Sequence, residues 1–312
     1  MSAATEAREP LTDEPRLRTR GHWQQALRRL SHQPGTIIAF TLLVGIFVIG
    51  ALAPQIAPQG WNAIDLSSRW ANHGPTLSGW HLLGTDNIGR DVLVRTLYGL
   101  HDTEAAALAG ALLASILGVT VGVLAGYYSG WLDLTLMRVT DLVTAFPAMV
   151  LMLAAFVFLA PMTTTRMTLV FALYMWTFVA RAVRARIAPL ATEEFVQAAR
   201  AMGASDARII TRHLLPNAAG TIIAAGTSLI GGIILLEATV EFFGFGYSSQ
   251  NRPTLGNLIA DATSSGIGAY NFLNLGWWVW AAPAAVLVLI LICTNLVGDG
   301  LDTALNPRNV RT

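Results

Sequence analysis

EAAALAGALLASILGVTVGVLAG, residues 104–126, is the stretch on which the reading of the fold turns. Beyond its first glutamate it carries no charge, and it is long enough to cross a bilayer, which takes roughly 20 apolar helical residues. Ala106, Gly110, Ala114, Gly118, Gly122 and Gly126 recur at every fourth position. On a helix this spacing lines small side chains along one stripe, where a neighbouring backbone can come close. Gly220, Ala224, Ser228 and Gly232 repeat the device further along. Such stripes serve tight packing within one chain or contact with a partner subunit, and either use requires several spans.

Composition agrees. Of the 312 residues 54% are hydrophobic and only 12% charged, about half the roughly 25% usual in soluble domains. A water-facing surface cannot be covered from so few polar side chains. The formal charge of +1 excludes strong overall attraction to nucleic acid. The lone Cys293 excludes a disulfide framework within the chain. All 20 basic residues are arginine. A GxxxxGK[ST] phosphate loop needs its lysine, so ATP, if it is used, is bound elsewhere.

Apolar runs at 36–53, 104–126, 142–160, 167–183, 218–240 and 277–297 predict six membrane helices. The first ends in a small-x-small tripeptide, but some 35 residues precede it and Pro54 follows, so it reads as a retained helix rather than a signal peptide. With the N-terminus inside, fifteen arginines fall in inner segments. Only five (Arg69, Arg90, Arg95, Arg166 and Arg252) fall outside. The positive-inside rule then puts both ends in the cytoplasm. The predicted organisation is a tail at 1–35, the first helix and outer loop at 36–103, a five-helix core at 104–297 and a tail at 298–312. Residues 1–20 are expected to be disordered. The long loops are 54–103 and 241–276 outside and 184–217 inside.

The inner loop is the most patterned of these. Thr192 is a candidate N-cap, Glu193 and Glu194 suit a first helical turn, and Phe195, Val196, Ala199 and Met202 form an apolar face. Gly203 sits where a left-handed residue ends the helix. Ser205 then caps a second short helix, residues 206–214, which Pro216 is expected to stop. The pattern fits a compact knob projecting into the cytoplasm or an amphipathic helix lying on lipid.

Gln197-Ala198-Ala199-x3-Gly203-x9-His213-x-Leu215-Pro216 resembles the EAA loop of ABC importer permeases, with Gln197 and His213 departing from the pattern. LGTDNIGRDVLVRTLYG at 83–99 looks like the corresponding segment of the C-type dipeptide and oligopeptide permeases, Val94 replacing a serine. Gly130-Trp-Leu-Asp133, Met137-Arg138, Asp141 and Phe146-Pro147 are similar to a further family motif. So are EATVEFFGFG at 237–246 and Gly298 to Asp302 with Pro307-Arg308, although Glu241 and the surroundings of Asp302 depart. The likeness spans about residues 30–308.

The resemblance implies an all-α polytopic permease of the type I importer fold in a bacterial cytoplasmic membrane. It implies a second permease subunit, two cytoplasmic ATPase subunits that bind ATP and Mg, and an extracytoplasmic substrate-binding protein. Glu194, Ala198, Ala199, Gly203, Asp206, Leu215 and Pro216 would couple to the ATPase. Peptides are the expected cargo, with nickel, opines or other small cargo as alternatives within the class.

Other residues carry open readings. Asp86, Arg90 and Asp91 form either a local ion-pair network or a docking point for the binding protein. Glu237 is either a functional intramembrane acid or a solvated helix end, and with Phe242, Phe243 and Phe245 it is expected to frame an outer gate. The six dispersed His show no ligand spacing, so no metal site is expected. His213 reads as a capping or interface residue, and no serine has an adjacent base, so no catalytic residue is assigned. A secondary transporter is the competing class. It would need coupling charges within the membrane, and the first and last spans contain none. A membrane scaffold is the third.

Overall fold

The computed structural model describes residues 30–65, 74–76, 81–86, 88–247, 252–264 and 276–305. The N-terminal tail up to residue 29, Arg69, Pro307, Arg308 and Arg311 lie outside them. The described residues form helices α1 (Pro34–Ala51), α2 (Ala53–Ile56), α3 (Val92–Tyr128), α4 (Gly130–Ala145), α5 (Ala148–Phe158) and α6 (Thr164–Leu190). These are followed by α7 (Glu194–Ala201), α8 (Asp206–Ile209), a π-turn at Ile210–Leu214, α9 (Leu215–Phe242), α10 (Leu255–Ser264) and α11 (Trp277–Leu305). Among the described residues the only β-pairing is two isolated bridges, Ile64 with Arg90 and Thr85 with Asp91.

Five helices are long and apolar enough to span a membrane, and the bent pair α4–α5 makes a sixth if it is one broken span rather than a re-entrant loop. The chain is thus a helical membrane protein of five or six spans. Its third span differs from the straight helix expected at 142–160. Phe146 and Pro147 are extended, because proline disfavours helical geometry in the residue before it. The two halves meet at 81°. Pro216 behaves differently and does not stop its helix. The Leu215 amide bonds back to the Ile210 carbonyl in a wider, five-residue turn, and the Asn217 side chain donates to the His213 carbonyl at 2.7 Å. The chain therefore runs from Asp206 to Phe242 as one span.

The closest helix pair is α3 with α6, which share the most extensive contact among the described residues. A Cβ at Gly118 would lie 2.5 Å from Val179 Cβ. One at Gly122 would lie 2.6 Å from the Ala180 carbonyl, and one at Gly126 would lie 2.9 Å from Ile187 Cβ. The stripe therefore packs within the chain. On α9 the device is partial. Gly220 abuts Leu305 and Ser228 faces Gly298, but nothing lies within 4 Å of a Cβ at Gly232. Around this seam, Phe171, Val179, Val183, Ile187, Ile233 and Ile290 are fully buried.

The contrast between glycines supplies a test. Gly122→Leu should be costly, because overpacking a close seam typically costs about 1–3 kcal/mol and backbone cannot yield as a side chain can. Gly232→Ala should be neutral. Thermal unfolding in detergent is expected to show a lowered midpoint for the first variant and an unchanged one for the second.

Candidate functional site

The loop between α6 and α9 lies at one end of the bundle, here called the loop end. The cap of α7 is Glu193, not Thr192 as expected. The Thr192 hydroxyl instead donates to the Pro189 carbonyl at 2.8 Å, and Gln197 holds the Thr192 carbonyl at 3.0 Å. Glu194 stands in the first turn of α7, where the helix dipole favours an acid. The helix ends as the glycine predicts. Gly203 has φ +80, its amide bonds Arg200, and the Ala204 amide bonds Ala199. This is the paired 5→2 and 6→1 closure of a left-handed cap.

The apolar face is narrower than expected. Val196 and Ala199 are buried against the bundle with Ile209 and Leu214, whereas Phe195 is 39% exposed and Met202 82% exposed. Phe195 instead rests near the His213 ring, 6.3 Å between centres. The loop thus presents Met202, Ala198 and Glu194 outward on a buried footing. Ser205 occupies the cap position of α8 but makes no capping hydrogen bond. Leu215 and Pro216 begin α9 beyond the π-turn.

Three side chains that the sequence reading did not connect meet beneath the glycine turn. The hydroxyl of Tyr127, 7% exposed at the end of α3, donates to Asp206 Oδ1 at 2.6 Å. It accepts from Arg200 Nη2 at 3.2 Å. Nearby, Arg184 of α6 grips both oxygens of Asp133 on α4, and Arg181 bonds Asp141 at 3.0 Å and Thr144 at 2.6 Å. The two acids of the GWLD…MRxxD segment therefore clamp α4 onto α6.

At the opposite end, Asp86 and Arg90 are brought together, but Asp91 faces elsewhere. Asp86 accepts from the Ile88 and Arg90 amides, from Arg90 Nε at 2.7 Å and from Arg95 Nη1 at 2.9 Å. Asp86, Arg90 and Arg95 are 4%, 7% and 3% exposed, so this network orders the loop from inside. Asp91 caps α3 through the Val94 amide and pairs with His81 at 2.7 Å.

The four residues expected at an outer gate are not gathered at one point. Glu237 and Glu241, one turn apart, are each 1% exposed, so Glu237 is no solvated helix end. Glu237 is buried with Thr103 as its polar neighbour. Glu241 Oε1 receives the Tyr247 amide at 3.4 Å, and its Oε2 has no partner. Phe242 and Phe243 point outward, 46% and 59% exposed. Phe245 lines a cavity of about 730 Å³ with Phe156, Met162, Tyr247 and Arg252. Among the described residues no group of His, Cys, Asp or Glu could hold a metal ion.

Residues 118–311 match the family described as the inner membrane component of binding-protein-dependent transport systems. The chain belongs to that family. Residues 21–75 match the N-terminal transmembrane domain of oligopeptide transport permease C. The permease is 33% identical over 286 residues to the oligopeptide transport system permease protein OppC of Mycobacterium tuberculosis, covering 90% of this chain and 93% of that one. It is 32% identical over 310 residues to the protein of the same name in Escherichia coli K12, covering 98% and 97%. The dipeptide transport system permease protein DppC of Alkalihalophilus pseudofirmus is 30% identical over 289 residues, covering 92% and 90%. A chain of the MetNI methionine ABC transporter, in inward-facing conformations, superposes with TM-score 0.54 at 18% identity, covering 69% of this permease and 97% of that chain. That likeness shows the shared fold.

Removing one partner of a buried ion pair strands the other charge, at about 3–5 kcal/mol. Asp86→Ala strands two guanidinium groups, and should sharply lower the folded yield and unfolding midpoint in detergent. His81 gives a pH test. Burial alone would lower its pKa, but the hydrogen bonds and charges of Asp91 and Asp65 together hold it above its ordinary 6.5. Its contribution to stability is thus fully present below 6.5 and lost as pH rises through the higher folded value. The unfolding midpoint should fall across that window, and His81→Gln should flatten the fall.

Proposed function

We propose that this permease is one of two membrane subunits of an ATP-driven importer of di- or oligopeptides, with both chain ends in the cytoplasm. The observation that carries this reading is the loop of α7 and α8. It is a short helix on a buried apolar footing, closed by a left-handed glycine, with its outer face free at the arginine-rich end of the bundle. Cytoplasmic ATPase subunits, which bind ATP and Mg²⁺, would engage this loop through Glu194, Ala198, Ala199 and the Gly203 turn. Ala199 acts from beneath and the others at the surface. A second, different permease chain would complete the pore, and an extracytoplasmic binding protein would deliver cargo at the opposite end. Peptide cargo is supported by the oligopeptide and dipeptide names of relatives that cover nine-tenths or more of the chain. Glu237, Phe242, Phe243 and Phe245 would act at the outer gate.

A ligand-driven stroke needs contacts that differ between the two states, and the glycine turn sets the angle at which the loop presents them. Gly203→Val meets no neighbour within 4 Å but forces a β-branched residue to φ +80. In proteoliposomes holding the assembled complex, this variant should lose ATP-dependent uptake of a labelled peptide while still inserting and assembling. Full uptake by the variant would remove the loop from the mechanism. Sidedness has its own check in a Cys293→Ser background. Ala207→Cys should react with an impermeant maleimide only from the cytoplasm, and Gln59→Cys only from outside.

One observation favours a second reading. The buried Glu237 and Glu241 are the kind of intramembrane acids that ion-coupled transporters use. Peptide uptake driven by a proton gradient, without any ATPase chain, would establish that reading and overturn the first.

A further inference from the structure

We infer that Tyr127 is a positioning residue of the coupling loop, its hydroxyl fastening both arms of the loop to the end of α3 so that loop and bundle move as one body. The inference rests on the proposed role of α7 and α8 in engaging an ATPase.

The geometry is specific. Arg200 lies in the last turn of α7 and Asp206 is the first residue of α8, on either side of the Gly203 turn. Both reach the same phenol. Tyr127 Oη donates to Asp206 at 2.6 Å and accepts from Arg200 at 3.2 Å, and the guanidinium stands 5.7 Å from the centre of the same ring. No other side-chain hydrogen bond among the described residues joins α7 or α8 to a different span. The remaining attachments of the loop are its apolar footing, Val196, Ala199, Ile209 and Leu214. Apolar contact is non-directional and lets surfaces slide. Hydrogen bonds weaken steeply when bent, and those to charged groups are the stronger ones.

The position of Tyr127 makes the tie mechanical. Gly118, Gly122 and Gly126 hold the last turns of α3 against the backbone of α6, and α6 itself leads into α7. The phenol therefore closes a ring through α6, α7, Tyr127 and α3. Without the hydroxyl, no directional side-chain bond ties α7 to α3, and α7 keeps only its peptide connections and its apolar footing. A push on the exposed face would then be absorbed at the turn.

Tyr127→Phe keeps the ring and its packing and removes the tie. In proteoliposomes containing the assembled complex, binding protein and a labelled peptide, we expect peptide moved per ATP hydrolysed to fall about tenfold, the scale of one charge-assisted hydrogen bond. Asp206→Ala should lower the same ratio by no more than Tyr127→Phe does, and the double variant should be no worse than Tyr127→Phe, because that substitution already removes the Asp206 bond. Amide exchange at residues 194–206 should quicken in Tyr127→Phe, with residues 110–122 unchanged. An unchanged ratio, or transport and hydrolysis falling together in proportion to complex yield, would overturn the inference. If Tyr127→Phe does not assemble, Arg200→Gln at its exposed position is read by the same ratio. A lowered ratio upholds the tie, and an unchanged one overturns it. A wild-type complex with no ATP-dependent peptide uptake would instead overturn the function beneath it, whereas a coupled wild type with an unchanged variant removes the tie alone.

Discussion

The backbone-to-backbone approach of α3 and α6 is the constraint on which the rest of the permease depends. It exists because Gly118, Gly122 and Gly126 have no Cβ where Val179, the Ala180 carbonyl and Ile187 stand. With that seam fixed, the exit point of α6 is fixed, and with it the origin of the loop that follows. The next residue after Gly126 is turned about 100° around the helix. Tyr127 consequently leaves the seam and reaches Asp206, 79 residues further along the chain. One stripe of missing side chains thus determines both the core and the attachment of the loop.

Charge is scarce in this chain, and two arginine–aspartate pairs tie helices together where they must be held at an angle. Arg184 takes both oxygens of Asp133, and Arg181 takes Asp141 and Thr144. Together they hold α4 on α6 just before the 81° bend. The flat, multiply donating guanidinium suits this task better than an ammonium, which gives a physical use to an all-arginine complement. At the opposite end Asp86 accepts from two arginines and two amides. There the pairing knots a connection rather than joining spans.

Five of the spans, the small-residue stripe of α3 and the glycine that ends α7 were legible in the sequence, since each is a local periodicity or a single conformational need. What was not legible depended on neighbours far along the chain. Two prolines show this. Pro147 breaks its span because Phe146 before it goes extended, whereas Pro216 is absorbed by a π-turn and by Asn217 bonding the His213 carbonyl. Thr192 has a capping side chain, yet the Pro189 carbonyl claims its hydroxyl. Phe195 and Met202 have helical spacing with Val196 and Ala199, but the footing available on the bundle is only wide enough for the smaller pair. The Tyr127, Arg200 and Asp206 contact has no local signature at all.

Within the end opposite the loop, polar groups are matched unevenly: the connection around Asp86 is fully knotted, whereas the two acids at the end of α9 are not. At the loop end, Asp133, Asp141 and Asp206 each have a partner in another helix. At the other end, Glu237 and Glu241 are buried beside Thr103 and the Tyr247 amide, and neither forms an ion pair among the described residues. Glu241 also shapes the backbone above it. A Cβ at Gly246 would sit 2.9 Å from its side chain, so the glycine there is required by the glutamate. A buried polar group without a partner costs free energy that hydration would recover. Opening the segment 243–247 to water therefore loses little at Glu237 and Glu241, while parting α3 from the loop loses directional bonds to charged groups.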